Sequence, residues 1–326
     1  MKIAFYDTKP YDHIWFEPLA KEYGYTVKYL ENKLNTDTAV LSRGYDVVCV
    51  FVNDTVTAEV IDLLVQNGVR LVALRCAGFN NVDIAAAYGR IPVVRVPSYS
   101  PEAVAEHSMA LLLSVNRKIH RAYTRTRDSN FAINGLMGFN LRDKTIGVVG
   151  TGQIGAIFAQ IAAGFGMRVL AYDPFPKAEG LAYVELDKLF ALSDVISLHC
   201  PLTKDTYHMI NAETIAGMKD GVVLINTSRG ALINSQAMIH GLLTRKISAA
   251  GLDVYEEEGD YFFEDKSNEI IQDEDLARLL GLPNVLVTSH QAFFTREAMQ
   301  AIAMTTMENI AQFAAGQKLV NEVARG

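Results

Sequence analysis

The chain is poor in cysteine, with only Cys49, Cys76 and Cys200 among 326 residues. An odd number without CxxC spacing points to neither a disulfide framework nor a thiolate metal site, and the three read as small buried packing residues. The histidines lack metal-ligand spacing with acids or cysteines, so no metal is expected. Positive charge is also short: 30 Lys and Arg stand against 37 Asp and Glu, a formal net charge of −7. That balance argues against a surface built to neutralise phosphates, and no nucleic acid partner is expected. No apolar run approaches about 18 uninterrupted residues, and the start has no charged, apolar, small-residue order of a secretory leader. No membrane partner is therefore expected, and the chain reads as cytoplasmic.

Half of the residues are hydrophobic and 21% are charged, an ordinary globular balance. The length suggests roughly two domains, each able to bury its own core. Short Val- and Ile-rich runs recur between helical stretches, the pattern of a parallel sheet covered on both faces, so the class is α/β. A first series of strands is predicted at Lys2 to Asp7, Thr26 to Leu30, Val47 to Phe51, Arg70 to Leu74 and Pro92 to Val96. A second, larger series is predicted at Thr145 to Val149, Arg168 to Tyr172, Val195 to His199, Val222 to Asn226, Ala249 to Asp253 and Val285 to Thr288. Between them one long helix opens at Ser100 and Pro101 and runs to about Arg127, with a hinge near Val96 to Ser100. A last helix is predicted from about Arg296 to Ala315, capped by Thr295.

The strand ending at Val149 runs straight into Gly150-Thr151-Gly152-Gln153-Ile154-Gly155, and a helical pattern follows. The first Gly serves a tight turn, the second lets backbone approach a pyrophosphate, and the third lets helix and strand pack closely. The next strand ends at Asp173, near the usual spacing for a carboxylate that accepts from an adenosine ribose and repels a 2'-phosphate. NAD is thus favoured over NADP. The first predicted strand leads into Lys9-Pro10 without a glycine, so only one domain can bind a dinucleotide in this way.

Hydride transfer to a carbonyl group needs an electrophilic partner for the carbonyl oxygen and a proton donor near neutral pH, and a substrate that carries a carboxylate needs a cation as well. Three strand ends of the second series supply such groups: Thr227-Ser228-Arg229-Gly230, Val254-Tyr255-Glu256-Glu257-Glu258 and Ser289-His290. Ligands in open α/β sheets sit at the carboxyl ends of strands. Singly, each residue also fits a plainer part, Arg229 as a surface ion-pair partner, Glu258 as one of several solvated acids and His290 as a hydrogen-bonded core residue.

In these segments the chain resembles the D-isomer-specific 2-hydroxyacid dehydrogenases. The resemblance runs over nearly the whole length and includes Arg75-Cys76-Ala77-Gly78-Phe79-Asn80-Asn81-Val82-Asp83, His199-Cys200-Pro201-Leu202-Thr203, Asn226 to Ala231 and Asp253-Val254-Tyr255. Within the family it is most similar to the fermentative D-lactate dehydrogenases, through Asp260 to Asn268 and His290-Gln291-Ala292-Phe293.

The resemblance implies two doubly wound parallel-sheet domains, a Rossmann nucleotide domain over 100–295 and a smaller, discontinuous flavodoxin-like substrate domain over 1–99 and 296–326, with an interdomain cleft. It implies NADH-dependent interconversion of pyruvate and D-lactate. Arg229 holds the substrate carboxylate, His290 exchanges the proton and Glu258 hydrogen-bonds the other ring nitrogen. Main chain near Ala77 and Gly78, Tyr99 in the cleft and Phe293 complete the substrate pocket. Gly150, Gly152, Gln153, Ile154, Gly155 and Asp173 hold the cofactor with His199, Cys200, Pro201 and Thr227, and Asp253 sits beside the nicotinamide amide. Gly78, Tyr99 and Asp253 also fit a tight turn, hinge packing and a strand-end cap. The long helix after Ser100 resembles the family's subunit contact, which implies a homodimer or homotetramer. Glyoxylate, hydroxypyruvate or a longer 2-oxo acid remain alternative substrates, and an NADH-sensing co-repressor remains an alternative of another class.

Overall fold

Buried strands need no alternation of polar and apolar residues, because side chains on both faces meet helices. The runs Val47–Val50 and Leu71–Leu74 show this, each buried at all four positions. The computed structural model describes residues 1–324, and the chain forms two units, Met1–Ser100 with the chain from Phe294 on, and Pro101–Phe293.

The first unit is built on β1 (Lys2–Phe5), β2 (Thr26–Tyr29), β3 (Val47–Val50), β4 (Leu71–Leu74) and β5 (Val93–Val94), all parallel, in the order β2-β1-β3-β4-β5. Only the edge strand β2 alternates, exposing Thr26 and Lys28 and half-burying Val27 and Tyr29. The helix Arg296–Ala314 packs on the helix Pro10–Glu22 and on β4. Thr295 caps it, its side chain accepting from Ala298 N at 3.2 Å.

The second unit holds seven parallel strands: β6 (Thr145–Val149), β7 (Arg168–Tyr172), β8 (Ala182–Tyr183), β9 (Val195–Leu198), β10 (Val222–Asn226), β11 (Ile247–Leu252) and β12 (Val285–Val287). Their order is β12-β11-β10-β9-β6-β7-β8. The direction of winding reverses between β6 and β9, which opens a crevice at the carboxyl ends of those two strands. Strand β8 was not expected, since two residues carry no periodicity. The helix Pro101–Arg117 lies on β10, β11 and β12 and packs against the helix Gln153–Gly164.

The long helix does not continue to Arg127 as expected. It ends at Arg117, Lys118 takes a left-handed φ of 51°, and a second helix covers Ile119–Arg127. A loop captures the first helix's end: Asn116 Nδ2 donates to Phe139 O at 2.8 Å, Phe139 N donates to Asn116 Oδ1 at 2.9 Å, and Lys118 Nζ donates to Met137 O at 2.6 Å. These tertiary bonds outweigh a helical propensity that favours continuation. No helix among the described residues is long and apolar enough to cross a membrane.

Candidate active site

Strand β6 delivers the glycine turn, and each glycine has its own geometric reason. Gly150 has φ of 89°, and a Cβ there would stand 2.6 Å from the His199 carbonyl oxygen. A Cβ on Gly155 would overlap the Gly150 carbonyl, so this residue sets how closely the helix approaches the strand. At Gly152 a Cβ would meet nothing within 4 Å. Gly152 is also the N-cap of Gln153–Gly164, and as a glycine it offers no side chain to cap the first turn. Amide donors and the positive end of the helix dipole thus face open space at the reversal between β6 and β9, a cradle suited to a pyrophosphate. Ile154 anchors the helix by packing on its core.

Asp173 follows β7. Burial raises its pKa, but Thr151 N at 2.7 Å, Phe175 N at 2.9 Å and Thr151 Oγ1 at 3.1 Å hold the carboxyl below its ordinary range. Thr151 Oγ1 is steadied in turn by Tyr183 OH at 2.9 Å, and Tyr183 lies on the unexpected β8. The carboxylate is therefore a fixed anion at the edge of the glycine turn, a fit for the hydroxyls of an adenosine ribose.

His199 follows β9 and supports the turn from below. Its backbone N donates to Val149 O at 2.7 Å, its Nε2 pairs with Ser197 Oγ at 2.8 Å, and its ring lies 4.8 Å from that of Phe158. Burial pushes the imidazole down to about 3, so the ring is neutral. The Cys200 thiol, pushed by burial up to about 11, stays protonated, and Pro201 is exposed beside it. Thr227 is buried with its hydroxyl 2.8 Å from Ser108 Oγ.

Strands β10, β11 and β12 are neighbours and parallel, so their carboxyl ends open on one edge of the sheet. Asn226 shapes the first loop, its Nδ2 donating to Arg229 O at 2.9 Å and its Oδ1 accepting from Ser228 N at 3.0 Å. Arg229 is half-buried, with Nη1 donating to Ser228 O at 2.7 Å. A Cβ on Gly230 would overlap the Tyr255 backbone, so the loop carrying Arg229 nests against the loop after β11.

That second loop sorts its three acids. Glu256 pairs with His208 Nε2 at 2.5 Å and accepts from Ser235 Oγ at 3.0 Å, and Glu257 is exposed. Glu258 Oε2 accepts from Tyr255 N at 3.0 Å, while Oε1 lies 2.6 Å from His290 Nδ1. An ionised carboxylate only accepts, so Nδ1 carries the proton and Nε2 is the nitrogen left for chemistry. Of the acidic run the structure brings only Glu258 to His290.

His290 itself adopts φ of 52°, the left-handed region that is uncommon for any residue but glycine. Asp253, fully buried, holds it there. Its backbone O accepts from His290 N at 2.7 Å, Oδ1 accepts from Thr288 Oγ1 at 2.5 Å and Gln291 N at 3.0 Å, and Oδ2 accepts from Ala292 N at 2.8 Å. The carboxylate expected beside a nicotinamide amide is thus engaged as the clamp of the His290 turn. His107 belongs to the same network: its Nε2 lies 3.1 Å from Thr288 Oγ1 and 3.4 Å from Asp253 Oδ1. Only a contact 181 residues apart in the chain exposes it. Phe293, next along, is buried.

In the first unit, Ala77 and Gly78 are half-buried in the turn after β4. Arg95 Nη1 donates to Ala77 O at 2.8 Å, which turns the Gly78 N–H of the same trans peptide the opposite way. Cys76 Sγ donates to Gly78 O at 3.2 Å. Arg75 braces the turn from inside, 4.4 Å and 4.8 Å from the rings of Phe5 and Phe51, and donates to Asp7 O at 2.8 Å. Tyr99 is half-buried.

Residues 109–292 match the family described as D-isomer specific 2-hydroxyacid dehydrogenase, NAD binding domain. The chain is 50% identical over 328 residues to a D-lactate dehydrogenase of Escherichia coli, covering 99% of this chain and 100% of that one. It is 53% identical to a 2-hydroxyacid dehydrogenase homolog of Haemophilus influenzae, covering 99% of each. Among solved structures it is similar to the apo form of the E. coli D-lactate dehydrogenase, with a TM-score of 0.90, 47% identity and coverage of 99% and 100%. It is equally similar to the pyruvate reductase of Chlamydomonas reinhardtii, with a TM-score of 0.92, 46% identity and 98% coverage of each chain.

Proposed function

Starting from the fact that the chain belongs to the D-isomer-specific 2-hydroxyacid dehydrogenases, we propose that it is a D-lactate dehydrogenase that reduces pyruvate with NADH and runs the reverse reaction. The observation that carries the reading is the 2.6 Å bond between Glu258 and His290 Nδ1, on an edge of the sheet shared with Arg229. NADH, when bound, supplies the hydride that adds to C2 of the 2-oxo acid. Arg229, always charged and planar, grips the carboxylate and polarises the ketone oxygen. His290 delivers a proton from Nε2 to that oxygen, and as the neutral ring takes it back in lactate oxidation. Glu258 holds the ring in one tautomer and one orientation.

Gly150, Gly152 and Gly155, with Gln153 and Ile154, are assigned to the pyrophosphate and Asp173 to the adenosine ribose. His199, Cys200, Pro201 and Thr227 are assigned to the pocket wall, and Asp253 acts there through the turn it clamps. The roles of Ala77, Gly78, Tyr99 and Phe293 at the substrate rest on the family resemblance. The protein is assigned to the cytoplasm as a homodimer or homotetramer. The exposed apolar side chains Tyr123, Phe131, Ile133 and Met137, on and after the helix Ile119–Arg127, support self-association. Sedimentation giving a monomer counts against it.

The reading is tested by following NADH oxidation with pyruvate and resolving the lactate on a chiral column. D-lactate is the expected product. L-lactate, or a higher specificity constant for glyoxylate, hydroxypyruvate or a branched 2-oxo acid, overturns the substrate or stereochemical assignment.

A further inference from the structure

We propose that His107 is a positioning residue for the proton donor: it donates to Thr288 and Asp253, and through them sets the turn from which His290 projects. The inference rests on the reading of His290 given above.

The hydrogen-bond direction is decided by counting protons. The Thr288 hydroxyl spends its only proton on Asp253 Oδ1 at 2.5 Å, so it presents lone pairs to His107 Nε2 at 3.1 Å. The other neighbour of Nε2 is the Asp253 carboxylate oxygen at 3.4 Å, which only accepts. Nε2 therefore carries a hydrogen, shared between the two oxygens. Asp253 has no exposed surface, and a buried carboxylate is tolerated only when its lone pairs are met. Burial pushes its pKa up, yet His107, Thr288 and the Ala292 amide hold it below the ordinary range.

The same carboxylate governs the backbone. The amides of His290, Gln291 and Ala292 all end on Asp253, the first on its carbonyl and the other two on its side chain. They hold His290 at φ of 52°, a conformation that persists only where the surroundings over-determine it. His107 fixes one side of Asp253 from the helix Pro101–Arg117, whose register along β10, β11 and β12 is set by packing. With that donor gone, Thr288 and Asp253 are held only from the side of the turn itself, by the Gln291 and Ala292 amides, so the turn loosens and His290 moves against Glu258. A displacement near 1 Å suffices to cost about 100-fold in rate.

The test uses His107→Phe, which keeps the ring and loses the donor, and His107→Gln, whose amide places an N–H near the position of Nε2. Both are made in the full chain and read in two ways, by steady-state kinetics with NADH and pyruvate and by amide hydrogen exchange of residues 288–293. His107→Phe is expected to lower kcat by roughly 10- to 100-fold with both KM values within about threefold, and to speed exchange of the 290–292 amides about tenfold or more. His107→Gln is expected to restore both to within about threefold of the parent. Unchanged kcat and exchange in His107→Phe, or a His107→Gln protein as impaired as His107→Phe, overturns the proposal in favour of plain packing. If His107→Phe does not fold, His107→Asn, whose shorter amide misses the Nε2 position, takes its place. A parent protein inactive on pyruvate refutes the substrate reading, while amide exchange still decides whether His107 holds the turn.

Discussion

Two glycines three residues apart offer a sharp test of how the nucleotide turn is built. A methyl group on Gly155 overlaps the carbonyl oxygen of Gly150, and the obstacle is backbone, which cannot swing aside like a side chain. The helix Gln153–Gly164 must back away from β6, which disturbs the contacts of Phe158, Ala159 and Ala162 in the core beneath it. Overpacking of this kind costs about 1–3 kcal/mol. For a unit of this size that corresponds to a fall in Tm of roughly 2–12 °C. Gly152 is the opposite case. Its φ of −62° and ψ of −166° suit an alanine, and a Cβ there meets nothing within 4 Å. Gly152→Ala should leave stability within about 1 kcal/mol, since a small loss of N-cap preference is offset by a less flexible unfolded chain. That space lies where the pyrophosphate meets the helix N-terminus, so its methyl should weaken NADH binding by roughly 10- to 100-fold. Thermal unfolding without ligand and fluorescence titration with NADH separate the two effects. If Gly155→Ala melts with the parent, or Gly152→Ala binds NADH as tightly as the parent, the assignment of close packing to one glycine and phosphate access to the other is wrong.

Three further expectations follow from the same geometry. Asp173→Ala removes a fixed anion and should lower the ratio of specificity constants for NADH over NADPH by about 100-fold or more, summing lost charge-assisted bonds and relieved repulsion; a ratio unchanged within threefold counts against Asp173 as the selector. His290→Ala should lower kcat for pyruvate reduction by roughly 100- to 10,000-fold, the usual reach of a general acid, and a retained rate in a stopped-flow assay means that the proton comes from elsewhere. Burial raises the pKa of Asp194, but Thr145 N at 2.8 Å and Lys219 Nζ at 3.0 Å hold its carboxyl below the ordinary range. A depressed acid stabilises the fold above its unfolded pKa of about 3.9 and loses that effect as pH falls through its native value. Asp194→Asn should therefore melt below the parent at pH 7, by no more than about 1 kcal/mol given its partial exposure, and the gap should narrow as pH falls below about 4; a gap undiminished at pH 3 refutes the pairing.

Much of this protein is local in origin. The unbroken apolar runs of β3 and β4 and the strand–glycine–helix order around Gly150 are recognisable because parallel strands buried on both faces and a phosphate-binding turn impose residue types at adjacent positions. Arg229, Glu258 and His290 stand out because each follows a strand that can be read. Strand β8 and the break at Lys118 could not be read in this way. The first is two residues long, and the second is imposed by Asn116 and Phe139, which are far apart in sequence.

The same division runs through the site. Residue types alone nominate an arginine, an acid and a histidine, but three successive glutamates are equivalent in sequence until folding gives Glu256 to His208 and Glu258 to His290. Nothing near Asp253 announces that its carboxylate will clamp the His290 turn, nor that His107, on a helix far earlier in the chain, will reach it. The chemistry of a side chain travels with its letter in the sequence, whereas its partner, its tautomer and its orientation depend on which distant strands and helices pack beside it, and those are settled only by tertiary structure.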